Sequence, residues 1–368
     1  MTHSADIRFM ALALALGRRG LGRTWPNPAV GAVILKDGAI VGRGWTQPGG
    51  RPHAEIEALC RAGSAARGAT LYVTLEPCSH HGKSPPCADA VIAAGLARVV
   101  SALEDPNAEV AGAGHARLRA AGIAVEVGVG ADAARRDHAG HIRRMRDGRP
   151  HVTLKLAMSA DGKAGAAGRK PAAITGEAAR DRVHLMRAHS DAIMIGIGTA
   201  VADDPMLTCR LPGMAKNSPV RIVLDSMLRL PLDSRLVRSA HDTPVWVVTG
   251  KKAPQEAETI LLAHGVAVLR SPRSADPLDL ADVLGLLAAK GMTRLMVEGG
   301  PTLAGTFIAA DLVDEAMLFH GPNPIGPQGV EALAPQAMAT LTSRLRRVSS
   351  EPVGSDRQDV YERVAGHE

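Results

Sequence analysis

Three short strings constrain this chain more than anything else in it: His53-Ala54-Glu55, Glu76-Pro77-Cys78 and Pro86-Cys87. The first opens a helix-spaced segment, the second closes a strand, and the third opens another helix. One imidazole and two thiolates are good zinc ligands, and a catalytic zinc takes three protein ligands and leaves its fourth position to water. Cys87, at a helix N-terminus, is expected to have its thiolate favoured by the helix dipole. Glu55 follows His53 by two residues and is placed beside the metal rather than on it. Zinc lowers the pKa of bound water from 15.7 to about 7, and a nearby carboxylate can take that proton and later deliver it to a leaving group. Zinc deaminases expel ammonia by this pairing and carry the pattern H-x-E…P-C-x-x-C. Here eight residues, Ser79 to Pro86, separate the cysteines instead of two. The bland alternative makes both cysteines small buried hydrophobes and His53 an ordinary cap. Three ligand types at element ends, joined to a suitably placed Glu, weigh against it. His80 and His81 are rival ligands on the same loop and are read as residues at the mouth of the site.

Around these strings the chain alternates strands and helices. Ala29 to Leu35 and Ile40 to Gly44 read as a hairpin, Thr70 to Leu75, Ala97 to Leu103 and Ile123 to Val129 as strands, and His53 to Ala62, Cys87 to Gly95 and Ala111 to Ala121 as helices. An Arg-rich stretch then ends at Gly148-Arg149-Pro150, where a junction is expected. The second half repeats the alternation: strands at His151 to Met158, Ala192 to Ile197, Val220 to Leu224, Pro244 to Thr249, Val266 to Leu269, Arg294 to Val297 and Glu315 to Phe319. Helices are expected at Glu177 to Ala188, Pro254 to His264, Leu278 to Lys290 and Thr302 to Ala309. The expectation is two α/β domains, 1–147 and 148–368, each a sheet with helices on its faces.

Composition narrows the partners. Aromatic residues are 2% of the 368, so the core must be built from Ala, Val, Leu, Ile and Met, and no ladder of rings is available for stacking on single-stranded nucleic acid. The net charge of +6 suits phosphorylated substrates or a polyanion. The densest basic run, Arg135 to Arg149, is read as a solvated helix face. Four cysteines (Cys60, Cys78, Cys87, Cys209) do not make a disulfide framework, which points to a reducing, cytoplasmic setting. No apolar run approaches the 18 or so residues of a membrane span. Phe9 to Leu16 mimics a signal core, but Asp6 precedes it and Arg18 and Arg19 follow, so it is read as a helix under the first sheet.

The residues resemble a known family. His53-Ala-Glu55, the string Tyr72 to Cys87, Pro26-Asn27-Pro28-Ala-Val-Gly31 and Glu104-Asp105-Pro106-Asn107 look like the deaminase half of the bifunctional riboflavin-biosynthesis deaminase-reductases, in which a long inter-cysteine loop is typical. The resemblance runs over essentially the whole chain. It implies a cytidine-deaminase-like three-layer α/β/α domain with His53, Cys78 and Cys87 on zinc and Glu55 as proton shuttle. Asn27, Lys83, Asp105 and Asn107 become contacts to a phosphorylated pyrimidine. Lys83 also stands on its own chemistry, since an ammonium on the loop beside the metal suits a phosphate.

In the second domain, Gly196-Ile-Gly198-Thr199 lacks the third glycine of a dinucleotide fingerprint and is weak alone. Glu298-Gly299-Gly300-Pro301-Thr302, a strand running through two glycines into a helix with Pro in its first turn, presents free amides to an anion or is a plain turn. Lys155 with Ser159-Ala-Asp161-Gly162, Gly198-Thr199 with Ala202 to Pro205, Leu207, Arg210, Arg221 to Ser226 and Val297 to Leu303 resemble the reductase half of the same family. This implies a dihydrofolate-reductase-like fold that uses NADPH. Carried over, Ala157, Thr199, Asp203, Ser226 and a turn comprising Gly300, Pro301, Thr302, Leu303, Ala304, Gly305 and Thr306 hold the dinucleotide. Lys155, Arg187, Leu207, Arg210 and Glu298 hold the substrate, the arginines as phosphate clamps. Lys155 and Asp203 are the proton-handling candidates, with a structural ion pair and a cap as the alternatives. Where the family often has Ser-x-Trp, this chain has Pro171-Ala172-Ala173. The implied activity is deamination of a diaminopyrimidinone ribosylamine phosphate followed by reduction of its ribosyl group, in a homo-oligomer without nucleic-acid or membrane partners. The rivals are a nucleic-acid base deaminase, which leaves the second domain without a role, and a structural zinc module, which would want a fourth protein ligand.

Overall fold

The computed structural model describes residues 3–82, 84–169, 172–271, 273 and 277–363, so Lys83 and Pro171 lie outside the described residues. The chain divides into two compact units, Met1–Gly148 and Arg149–Glu368. Among the described residues no helix is long and apolar enough to cross a membrane.

The first unit runs α1 (His3–Gly17), β1 (Gly31–Lys36), β2 (Ala39–Trp45), α2 (Ala54–Ala62), β3 (Thr70–Val73), α3 (Cys87–Ala93), β4 (Arg98–Ser101), α4 (Ala113–Ala120), β5 (Ala124–Val127), α5 (Ala131–Asp137) and α6 (Ala139–Asp147). Its sheet has the order β2-β1-β3-β4-β5, with β1 antiparallel to both neighbours and β3, β4 and β5 parallel. Strand side chains alternate between faces, and β1 shows the consequence. Ala32 and Ile34 join Ala54, Ala58, Ala88, Val91 and Leu118 of α2, α3 and α4 in one core. Val33 and Leu35 join Phe9, Met10, Ala13 and Leu14 of α1 in the other. The expected three layers are therefore present, and Phe9 to Leu16 is indeed helix packed on the sheet.

Close packing of α1 depends on one glycine. A Cβ on Gly31 would lie 1.8 Å from the Ala13 carbonyl oxygen and 2.6 Å from the Gly17 amide nitrogen, so backbone would have to move. Gly31→Ala is expected to lower the stability of this unit by about 1–3 kcal/mol or more, the cost of overpacking a core. Denaturant unfolding of the full chain checks it, and an unchanged midpoint would show that α1 yields without cost.

The basic run lies on α5 and α6, but one expectation for it fails. Arg149 is not solvated: its guanidinium donates to both oxygens of the fully buried Asp314 carboxylate, at 2.7 and 2.8 Å. Asp314 also accepts the Val152 N–H at 2.9 Å, so Arg149 neutralises an acid that ties the start of the second unit to its own sheet.

The second unit runs β6 (His151–Met158), β7 (Lys163–Gly165), α7 (Glu177–Ala188), β8 (Ala192–Gly196), α8 (Ile197–Asp203), β9 (Val220–Leu224), α9 (Arg235–Arg238), β10 (Val245–Thr249), α10 (Gln255–Ala263), β11 (Ala267–Arg270), α11 (Leu280–Ala289), β12 (Arg294–Val297), α12 (Pro301–Ala309), β13 (Glu315–His320), β14 (Val330–Glu331), α13 (Pro335–Arg344), β15 (Leu345–Val353) and β16 (Asp356–Arg363). Its main sheet has the order β11-β10-β9-β8-β12-β6-β13-β16-β15, parallel from β11 to β13 and closed at one edge by an antiparallel hairpin. The parallel strands are the apolar runs read from the sequence, as strands covered on both faces should be. Near their C-terminal ends lie Ala157 of β6, Thr199 of α8, and Ser226 and Glu298 just past β9 and β12, where open parallel sheets bind ligands.

Candidate active sites

In the first unit His53 is the N-cap of α2, with an extended backbone, and its side chain makes no capping bond, which leaves the imidazole to turn elsewhere. Its Nδ1 stands 3.3 Å from Cys87 Sγ and 3.7 Å from Cys78 Sγ, and all three ligand atoms lie within 4.8 Å of one another. A tetrahedral zinc at ordinary bond lengths separates N and S ligands by about 3.6 Å. The donor set and its spacing therefore fit zinc. The other ring nitrogen, Nε2, is 3.2 Å from Asn27 Nδ2, and that amide donates to the Gly50 carbonyl at 2.8 Å. With a metal on Nδ1 the ring proton sits on Nε2, so Asn27 lies against the back of the ring without being the acceptor of that proton.

The two sulfurs are not equivalent. The Cys78 thiol is pulled down to about 4, first by the hydrogen bond from the Cys87 thiol, then, against burial, by those from His53 and the Cys87 backbone amide, whose nitrogen is 3.2 Å away. The Cys87 thiol is pushed up by that hydrogen bond to Cys78 and by burial. The first amide of α3 points at Cys78 Sγ rather than at the sulfur of its own residue. Glu55, in the first turn of α2, is 3% exposed, and burial pushes its carboxyl up to about 7, with the His53 charge opposing.

Lys83 lies outside the described residues. Asp105 and Asn107 follow β4 on a loop held by Glu76, whose carboxylate accepts four backbone N–H groups: Asp105 at 3.0, Gly112 at 2.9, Gly114 at 2.7 and His115 at 3.2 Å. Sequence reasoning quoted Glu76 only as part of the Cys78 string and missed this role. Asp105 Oδ1 accepts the Asn107 N–H at 2.9 Å and lies 3.6 Å from His141 Nε2. Burial works against the Asp105 carboxylate, but His141 and the Asn107 amide outweigh it and hold it below its ordinary value. Asn107 Oδ1 accepts the Glu109 N–H at 3.2 Å, a turn-forming bond within the loop.

In the second unit a cavity of about 800 Å³ opens at the strand ends. Lys155, Ala157, Thr199, Asp203, Ser226, Glu298, Gly300, Pro301, Thr302, Leu303 and Thr306 line it. Two expected cofactor residues do not. The stretch from Pro301 is helix rather than turn, and the helical period carries Ala304 into the core, where it is fully buried, and takes Gly305 off the wall. The Gly300 N–H donates to Thr199 Oγ1 at 3.3 Å, which ties the glycine turn after β12 to α8.

Arg187, Leu207 and Arg210 also stand off the wall. Arg187 is committed to Glu298: its Nε donates to Oε2 and its Nη2 to Oε1, each at 3.0 Å, and its Nη1 donates to the Thr208 carbonyl at 3.1 Å. Lys155 Nζ reaches Glu298 Oε1 at 3.3 Å. Burial works against the Glu298 carboxylate, but Lys155 and Arg187 outweigh it and keep it below the usual glutamate value. Burial and the Arg187 charge work against the Arg210 cation. Asp203, at the end of α8, is pushed up by burial alone. The wall further includes Ile174, Thr175 and Arg229, which sequence reasoning passed over.

Comparison with known proteins accounts for both units. The model of the cytidine and deoxycytidylate deaminase zinc-binding region matches residues 3–103, and that of the RibD C-terminal domain matches residues 150–358. The riboflavin biosynthesis protein RibD of Escherichia coli K12 is 43% identical over 336 residues, which span 87% of this chain and 89% of that protein. The structure of Acinetobacter baumannii RibD superposes with a TM-score of 0.88 at 35% identity over 99% of this chain and 100% of that one. A Thermotoga maritima structure, described as a diaminohydroxyphosphoribosylaminopyrimidine deaminase/5-amino-6-(5-phosphoribosylamino)uracil reductase, superposes at 0.85 with 32% identity over 98% of this chain and 99% of that one. These matches extend through both units, and the chain belongs to the RibD family of riboflavin biosynthesis, bifunctional enzymes that join a zinc-binding deaminase domain to a dihydrofolate-reductase-like domain using NADPH.

Proposed function

We propose that the domain of residues 1–147 removes the 2-amino group of 2,5-diamino-6-(5-phosphoribosylamino)pyrimidin-4(3H)-one, and that the domain of residues 148–368 reduces the ribosyl group of the resulting 5-amino-6-(5-phosphoribosylamino)uracil to ribityl. The observation that carries the first half is the convergence of His53, Cys78 and Cys87 beside the buried Glu55. Zinc held by those three residues supplies an acidified water, and NADPH in the second unit supplies a hydride.

The remaining work belongs to side chains. Glu55 holds the proton taken from the attacking water and passes it to the departing ammonia, a role its buried place beside the three ligands allows. Asn27, Lys83, Asp105 and Asn107 position the pyrimidine and its phosphate. In the reductase domain Ala157, Thr199, Asp203, Ser226 and Gly300 to Leu303, with Thr306, seat the dinucleotide. Lys155, Arg187, Leu207, Arg210 and Glu298 hold the substrate, with Glu298 fixing Arg187 and Lys155 in place. Lys155 and Asp203 are the wall groups able to hold the proton that balances hydride transfer to C1′. Two zinc-ligating thiols also favour a reducing, cytoplasmic setting.

Product analysis with the phosphorylated pyrimidine tests this reading, with ammonia release and NADPH consumption followed separately. Ammonia should appear without NADPH, and NADPH should be consumed only after deamination. Removal of zinc by a chelator is expected to abolish ammonia release while leaving reduction of supplied deaminated substrate intact. Loss of both reactions together would mean that the metal does not serve the first unit alone.

A further inference from the structure

The reductase cavity crosses the sheet rather than following one strand. Its wall takes Ser226 and Arg229 from the loop after β9, Thr199 from α8 after β8, Gly300 after β12, and Lys155 and Ala157 from β6. These strands are adjacent in the order β9-β8-β12-β6, so the two poles lie three strand spacings, about 14 Å, apart. The Lys155–Glu298–Arg187 cluster marks the β6 pole as the reacting end. A dinucleotide with its pyrophosphate at the central Gly299–Gly300 turn then has its adenosine at the β9 pole.

NADPH differs from NADH only by a phosphate on that adenosine ribose. Among the described residues lining the cavity, the cations are Lys155 and Arg229, and Lys155 is paired with Glu298 at the opposite pole. Arg229 keeps a largely exposed side chain, 64% accessible. Its nearest acid, Asp225, is fully buried, with Oδ1 3.7 Å from Arg229 Nε and Oδ2 accepting the Leu230 N–H at 2.9 Å. Asp225 therefore faces its own turn rather than offering its carboxylate to the ribose, as NAD sites do to bind the 2′-hydroxyl. The turn is braced by Thr249, whose hydroxyl donates to the Ser226 carbonyl at 3.1 Å.

We propose that Arg229, with the Ser226 hydroxyl on the same turn, binds the 2′-phosphate and makes the reductase prefer NADPH to NADH. This deepens the reductase reading and rests on it. A guanidinium offers a phosphate two parallel N–H donors, and the approach of Arg229 to Asp225 is made through Nε.

Direct titration of the full chain with NADPH, NADH and 2′,5′-ADP tests the assignment, in the wild type, R229Q and R229K. R229Q is expected to weaken NADPH and 2′,5′-ADP by about 10- to 100-fold, the worth of a charged hydrogen bond, while NADH changes by less than about threefold. R229K should fall between, and it carries the test through its NADPH-to-NADH affinity ratio if R229Q does not fold. Unchanged NADPH affinity, or equal weakening of NADPH and NADH, would overturn the assignment. A wild type without preference for NADPH would instead overturn the cofactor reading on which the assignment stands.

Discussion

Glu55→Gln is expected to keep its zinc and lose deamination by about 10²- to 10⁴-fold, the range over which a positioned acid-base group contributes. The amide fills the same space but cannot carry a proton between the attacking water and the leaving ammonia. Zinc should stay because the three ligand atoms belong to His53, Cys78 and Cys87. Reduction of supplied deaminated substrate should continue, because the Lys155–Glu298–Arg187 cluster and its cavity belong to the other unit. Metal analysis, ammonia release and NADPH oxidation on one preparation separate these outcomes. Near-wild-type deamination would remove Glu55 from the proton path, and loss of zinc would make it a support for the metal site.

The zinc cluster was legible because its information is local. His53 and Cys87 sit at helix starts and Cys78 just past a strand, so each residue type and its element boundary are written within a few positions. Glu76 was not legible: a Glu before Pro-Cys carries no sign that it accepts four amides from a loop and the first turn of α4, 29 to 39 residues on. Lys155, Arg187 and Glu298 were named by resemblance, but their mutual pairing was not. They come from β6, α7 and the end of β12, and only the strand order brings them together. Helices α8 and α13 and strands β15 and β16 were also missed. In β15 only the two terminal residues are buried, so the hairpin shows no alternation of apolar side chains and is held by its register with β16 and β13. Helix α8 lay hidden behind the glycines that suggested a phosphate turn. Arg149 shows the same limit from the charged side, because a terminal member of a solvated-looking run carries no mark of the buried acid it meets.

Glu298→Gln is expected to be the most damaging single change in the second unit. The carboxylate holds two cations whose side chains are only 10% and 14% exposed, so the amide leaves Arg187 and Lys155 buried without a counter-charge. Breaking a buried pair from one side costs about 3–5 kcal/mol. Reductase activity should be lost with it, since both cations lose the group that aims them, while ammonia release by the first unit persists. The pH dependence has a definite sign. Glu298 has a folded pKa below its unfolded value of about 4.3. Its contribution is therefore fully present above that value and lost as pH falls through the folded pKa. The stability gap between wild type and Glu298→Gln should be flat above about pH 5 and close as the solution is made more acid, where the wild-type carboxyl becomes as neutral as the amide. Calorimetry of the full chain, following the transition that added NADPH shifts upward, measures the gap. A gap under about 1 kcal/mol at neutral pH, the size of an exposed pair, would show that solvent rather than Glu298 neutralises the two cations.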